Sequence, residues 1–305
     1  MIKRIPEIFT QPFPHWNKMY VFKKLLYGFL LINAFSLLPI AHELFANDGI
    51  VGAAGWNTKY PWYAQGSRAF LNVLSHPLTA TYPWVYLVFV YGQIIALIGN
   101  VLNWWPKLTS VLIYFFTVNL FLKGYLMFTG GEALVNILTF YLIFIQRSDK
   151  GGRRSEPKFT FLQNLLNNTF YWVILIQVCV LYLFSTLYKL IDPVWVSGEA
   201  LMYIARIDGF SGGVMNALFA DSPLVSVIFS YATLLKKGLF PILVWMKRIK
   251  VPFLMVGVLF HLGIAFGMGV FTFGIIMIIT YCLFLEKTQI ERIAKIFRIN
   301  TVGNV

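Results

Sequence analysis

The sequence predicts an all-α fold, a polytopic membrane helical bundle of about eight transmembrane helices with both termini cytoplasmic. Three observations carry this expectation. Hydrophobic residues make up 58% of the 305 positions and charged residues only 12%, against about 25% charge in soluble domains. Apolar runs near the ~20 residues that cross a bilayer core recur along the chain. Basic residues collect in short clusters on alternate connections between those runs. The same composition excludes a disordered chain, a secreted disulfide scaffold and a cytosolic enzyme.

The first apolar run, Leu25 to Leu44, follows Lys23 and Lys24 and reads as a retained helix rather than a cleaved signal. Ahead of it, residues 1–24 form a cytoplasmic or interfacial segment, with Phe9, Phe13, Trp16 and Tyr20 beside Lys18. Pro83 to Leu102 and Leu108 to Phe128 are the second and third spans. The fourth, Glu132 to Gln146, opens after the turn-forming pair Gly130-Gly131. Phe170 to Leu190 is the fifth, and Pro223 to Met246 the sixth, interrupted by Lys236, Lys237 and Pro241. Val251 to Leu285 holds no formally charged residue over 35 positions. That length suits two short helices, with Gly263, Gly267 and Gly269 offering the turn. The bundle thus covers residues 25–286, and a short cytoplasmic tail covers 287–305.

Charge orients these spans by the positive-inside rule. The connections assigned to the cytoplasm hold 18 of the 25 Lys and Arg residues. The net charge of +13 therefore points to the anionic face of a lipid bilayer and not to nucleic acid. The expected location is a membrane, crossed several times. Two long external loops stand out, 45–82 with Trp56 and Trp62, and 191–222 with an amphipathic stretch from Glu199 to Ile207. Loops of this length in a compact bundle are usually functional or re-entrant.

Ionisable residues inside spans need a partner or a purpose. Lys189 ends the fifth span, with Asp192 three positions on, and two readings stand: a snorkelling lysine with its head in water, or a lysine held in a dry site as a base. Glu132 suits the first turn of a helix, where the dipole favours an acid. His261 lies mid-span, either as a buried neutral imidazole or as a working group. Lys236 and Lys237 mark a helix break or a lumen-facing pair. Cys179 and Cys282 fall in apolar runs with no C-x-x-C and read as structural thiols. The four histidines have no ligand spacing, so no metal is expected, and the soluble catalytic templates are absent.

Several pieces together resemble one family. Asn47-Asp48-Gly49-Ile50-Val51, Gly130-Gly131-Glu132-Ala133-Leu134, Lys189-Leu190 through Pro193, Trp195 and Gly198, and Phe260-His261-Leu262-Gly263 with Gly267 and Phe273 are similar, in order and spacing, to motifs of the HTTM (horizontally transferred transmembrane) superfamily. The resemblance runs over roughly residues 20 to 286. That superfamily includes the membrane part of vitamin K-dependent gamma-carboxylase and the multi-pass subunit that helps mature a sporulation-delaying peptide toxin. The resemblance implies an extracytoplasmic site with Lys189, His261 and Glu132 as catalytic candidates, and Asp48, Asp192, Trp195 and Glu199 as substrate-binding ones. It also implies a quinone-type lipid as the cofactor to consider, and a partner protein or peptide substrate on the outer side. The chain departs from the superfamily's motifs at Asn136 and Val194, and from the carboxylase between Gln146 and Lys158, which holds no histidine. Those departures argue against glutamate gamma-carboxylation. Two other readings stand beside this one: a non-enzymatic scaffold or assembly subunit gripping a partner with its external loops, and a transporter using Lys236, Lys237 and His261 along a midplane path.

Overall fold

The computed structural model describes residues 5–46, 49–50, 84–123, 129–147, 157–207 and 216–299. Asp48, Trp56, Trp62 and most of the 45–82 loop lie outside the described residues. Every regular element among those described is helical: α1 Ile5–Thr10, α2 Trp16–Leu37, α3 Ala41–Phe45, α4 Val85–Val101, α5 Pro106–Lys123, α6 Gly130–Phe144, α7 Pro157–Leu190, α8 Pro193–Val196, α9 Ala200–Ala205, α10 Pro223–Leu243, α11 Lys250–Leu262, α12 Phe271–Tyr281 and α13 Lys287–Ile296. Four stretches are long and apolar enough to cross a membrane: Trp16–Phe45, Phe159–Leu190, Pro223–Leu243 and Lys250–Gly267. Four shorter apolar helices accompany them, Val85–Val101, Pro106–Phe121, Gly130–Phe144 and Phe271–Phe284. The chain is a helical membrane protein.

It gathers into two compact units. One comprises Lys23–Arg153. Here Lys24 donates to the carbonyl oxygens of Asn100 and Val101 and to Asn103 Oδ1, placing a cation on the C-terminal end of α4, where the helix dipole favours it. Lys23 does the same for the Ile145 carbonyl at the end of α6. The Asn100 side chain then ties α4 to α5 through Thr109 Oγ1 (2.8 Å) and Ser110 Oγ (3.1 Å). Between these helices the chain reverses with φ of 60° at Asn103 and 42° at Trp105. Deeper in, Gln93 Nε2 donates to Thr117 Oγ1 at 2.9 Å, so two buried polar groups between α4 and α5 satisfy each other.

The other unit comprises Met1–Phe22 and Arg154–Val305. Its longest element is α7, 34 residues and therefore about 51 Å long, well beyond the ~30 Å hydrocarbon core. The expected fifth span began at Phe170, but the helix starts at Pro157. The extra turns carry Gln163, Asn164, Asn167 and Asn168, whose polarity hides them from a hydropathy reading. Asn168 Nδ2 uses its donors on the Phe9 and Gln11 carbonyls (3.1 and 2.9 Å), holding α1 along α7. Asp192 ends that passage by accepting from Val194 N at 2.9 Å and capping α8, with Pro193 at the first helical position.

The stretch from 251 to 285 divides as expected, and the break lies at Gly269. α11 runs on through a π-helical turn, Gly263–Gly267, and Gly269 then takes φ +70°, a conformation a side chain resists. The amphipathic stretch at 199–207 contains α9. It is pinned to α10 by the Met202 amide donating to Ser226 Oγ (2.8 Å), and α8 is pinned there by the Tyr231 hydroxyl donating to the Val196 carbonyl (2.6 Å).

Candidate functional site

Inside the second unit, α7, α10, α11 and α12 enclose a cluster of polar side chains. α7 contributes Tyr182 and Ser185, α10 contributes Lys236 and Lys237, α11 contributes His261, and α12 contributes Tyr281. The Tyr182 hydroxyl is the hub. It lies 2.7 Å from His261 Nε2 and 2.6 Å from the Tyr281 hydroxyl. Lys236 Nζ donates to both tyrosine oxygens, at 3.2 Å to Tyr182 and 2.9 Å to Tyr281. Beside it, Lys237 donates to Ser185 Oγ at 3.2 Å.

Aromatic packing sets these positions. The Phe240 ring stacks on Tyr182 at 3.9 Å and on Tyr281 at 5.7 Å, fixing the two phenols on either side of it. Lys236 Nζ sits over the Tyr182 ring at 4.5 Å and the Phe260 ring at 4.7 Å, so the ammonium meets negative π faces where it lacks oxygen. Gly257 lets α12 close on α11: a Cβ there would fall 2.6 Å from the Tyr281 hydroxyl. Gly274 does likewise for the His261 carbonyl, at 2.5 Å. His261 is 0% exposed and Lys236 8%, whereas Ser185, Lys237 and Phe260 are half-buried.

The proton positions follow from counting donors. With Lys236 donating to both phenols, one assignment gives each hydroxyl hydrogen an acceptor in the cluster. Tyr281 donates to Tyr182, and Tyr182 donates to His261 Nε2. His261 then carries its proton on Nδ1, which is buried with no hydrogen-bond partner among the described residues. This chain of bonds can relay a proton: one leaves Lys236 Nζ for the Tyr182 oxygen while Tyr182's own proton passes to His261 Nε2. Two features loosen the backbone nearby. Pro241 has no N–H to offer the Lys237 carbonyl four residues earlier. The π turn that follows His261 is of a kind that recurs at functional sites.

The residues singled out from the sequence fall at different places. His261 is in the cluster. Lys189 lies on the same stripe of α7 as Tyr182 and Ser185, at seven and four residues' distance, so about 10 Å further along the helix axis from Tyr182. Its Nζ rests 3.5 Å over the Trp195 ring, and Trp195 is buried against Ala200 and Leu234. Asp192 is committed to the α8 cap, and Glu199 is exposed just before α9. Glu132 belongs to the other unit, where it forms a capping box with Thr129: the Thr129 amide donates to Glu132 Oε2 at 2.8 Å and the Thr129 hydroxyl bonds the same oxygen. Asp48 lies outside the described residues. Tyr182 and Tyr281 were not singled out, and nothing in the sequence separates them from its 16 tyrosines except the polar stripe Tyr182, Ser185, Thr186, Lys189 along one helix face.

Comparison with known proteins gives two relatives in Bacillus subtilis (strain 168). Uncharacterized protein YitO is 33% identical over 205 residues, covering 62% of this chain and 64% of that one. Sporulation-delaying protein SdpB is 27% identical over 213 residues, covering 65% of this chain and 64% of that one. The chain thus spans about 64% of the length of each of these relatives. No family model matches, and no solved structure matches. The chain is a membrane protein distantly related to SdpB.

Proposed function

We propose that this chain is an HTTM-type protein that crosses the bacterial inner membrane several times and, with a partner protein, modifies or matures a peptide or lipid-soluble substrate on the extracytoplasmic side. The observation that carries this reading is the hydrogen-bonded cluster of Lys236, Tyr182, Tyr281 and His261, a lysine and an imidazole joined through phenols in a dry interior. Groups of this kind are costly in an apolar bundle and are kept where they do chemistry. Lys189 extends the polar stripe outward and Trp195 covers its head, so a substrate entering from outside meets Lys189 first. The relation to a sporulation-delaying protein supports a peptide as the substrate to test first. The acids favour different roles: Glu132 and Asp192 act as helix caps while Lys189 and His261 face the chemistry.

The test compares secreted peptides and membrane extracts, by mass spectrometry, from host cells carrying the wild-type chain, a deletion, His261→Gln or Lys189→Ala. The expected result is a peptide or lipid species that changes in the deletion and is not restored by either variant at normal membrane abundance. Full restoration by both variants would remove the catalytic reading. It would favour the scaffold alternative, in which affinity purification recovers a partner with wild type and variants alike.

A further inference from the structure

The buried cluster has an imbalance that its own helices cannot correct. α7, α10, α11 and α12 contain no aspartate or glutamate at all, yet they bring two consecutive lysines into an apolar interior. A lysine in such a place either meets an anion or gives up its proton, so an anion brought to the pair is what would hold both ammonium charges. The described partners of Lys236 are two hydroxyls and aromatic faces, and those of Lys237 are Ser185 Oγ and the Phe260 ring.

Among the described residues, the acids that flank these helices are placed elsewhere. Asp192 caps α8, and Glu286 pairs with Lys250 at 3.5 Å. Asp221 is exposed before the start of α10, about 20 Å along the helix from Lys236.

The spare hydrogen-bonding capacity of the cluster is almost entirely donor. An ammonium has three N–H groups. Lys236 uses two of them on the phenols and Lys237 uses one on Ser185, which leaves one and two. His261 adds its Nδ1–H, buried and without a partner among the described residues. A ligand that satisfied these groups would offer acceptors, and anionic oxygen is the acceptor that also meets the charge.

The outer surface beside the cluster is apolar: Leu235 and Leu259, the chain neighbours of Lys236 and Phe260, are 64% and 70% exposed, and in a bilayer they meet lipid. Half-buried Phe260 lies within reach of both ammonium groups, at 4.7 and 5.9 Å.

We infer that Lys236 and Lys237 form an anion-recognising half of the site, which takes the acidic head of a single-chain amphiphile, carboxylate or phosphate, from the bilayer. The inference rests on the functional reading above and names the class of its lipid-soluble substrate. The head sits between the two ammonium groups and the His261 edge, and the alkyl chain leaves past Phe260 toward Leu259.

The test uses the full-length protein in nanodiscs of phosphatidylcholine, with tritiated palmitate, hexadecyl phosphate and hexadecanol as probes. Saturable binding of palmitate or hexadecyl phosphate is expected, about tenfold or more tighter than hexadecanol, the size of one charge-assisted hydrogen bond. Whichever acid binds better identifies the head. Lys237→Gln should weaken that binding about tenfold or more, while Lys247→Gln, exposed in the connection after α10, leaves it unchanged. Equal binding of hexadecanol, no saturable binding of either acid, or an unaltered Lys237→Gln would each overturn the proposal. The probe comparison runs on wild-type protein and reads no activity, so its failure removes the ligand class without deciding the His261 test.

Discussion

The Tyr182 hydroxyl lies 2.7 Å from His261 Nε2, across 79 residues of sequence, and this contact joins α7 to α11 at the centre of an otherwise apolar packing. The same oxygen takes a hydrogen bond from Lys236 and meets Tyr281, so one phenol holds three other polar side chains. Because unpaired polar groups in a lipid-solvated interior are costly, the four residues stand or fall as a unit.

Small residues decide whether that unit closes. Gly257→Ala would bring a methyl to 2.6 Å from the Tyr281 hydroxyl, forcing α11 and α12 apart at a cost of about 1–3 kcal/mol. Gly263→Ala meets nothing within 4 Å and should be neutral. Thermal unfolding in mild detergent compares the pair; equal midpoints would contradict the close approach of these helices.

His15 gives the docked N-terminal segment a pH dependence. It stacks on Tyr171 at 4.3 Å, and burial, with the Lys18 charge second, lowers its pKa from 6.5 to about 4. Protonation therefore disfavours the docked form. Stability from this contact is present above pH 6.5, falls as the pH drops through that value, and levels off near pH 4. Limited proteolysis ahead of α2 should accelerate between pH 6.5 and 4 in wild type, and His15→Gln should flatten that profile. An unchanged slope in the variant would assign the effect elsewhere.

The capping box at the start of α6 separates helix stability from chemistry. Thr129→Ala removes a cap and should cost about 0.5–2 kcal/mol, whereas Glu132→Gln keeps the reciprocal bonds and the stability. Denaturation of the two variants side by side tests this; a Glu132→Gln protein as weakened as Thr129→Ala would show that the carboxylate charge, and not the cap geometry, holds the helix.

How far the sequence could be read is visible at particular residues. The stop at Asp192-Pro193 and the break between His261 and Phe271 were legible because each depends on local backbone chemistry, whereas the Gly130-Gly131 pair, expected as a turn before Glu132, forms the first turn of α6 behind the Thr129 cap. The first three turns of α7 were not, because Asn167 and Asn168 look like loop residues until Gln163 donates to the one and the N-terminal segment accepts from the other. Lys236 and Lys237 were visible as charges in an apolar run, and His261 as a mid-span imidazole. Their convergence on Tyr182 and Tyr281 was hidden: the phenols are 99 residues apart, and tyrosine in a membrane helix is ordinarily packing or interface anchoring. Long-range pairing of that kind leaves no periodicity in the sequence.

The most direct measurement of the central claim uses Tyr182→Phe, which keeps the ring stacked on Phe240 and deletes only the hydroxyl that joins Lys236 to His261. Membrane abundance and the secreted-peptide and lipid profiles would be measured in a deletion strain carrying this variant or the wild type. The account predicts normal abundance, a loss of about 1–3 kcal/mol of stability from the groups left unpaired and a profile matching the deletion. A Tyr182→Phe strain whose profile matches wild type would contradict it.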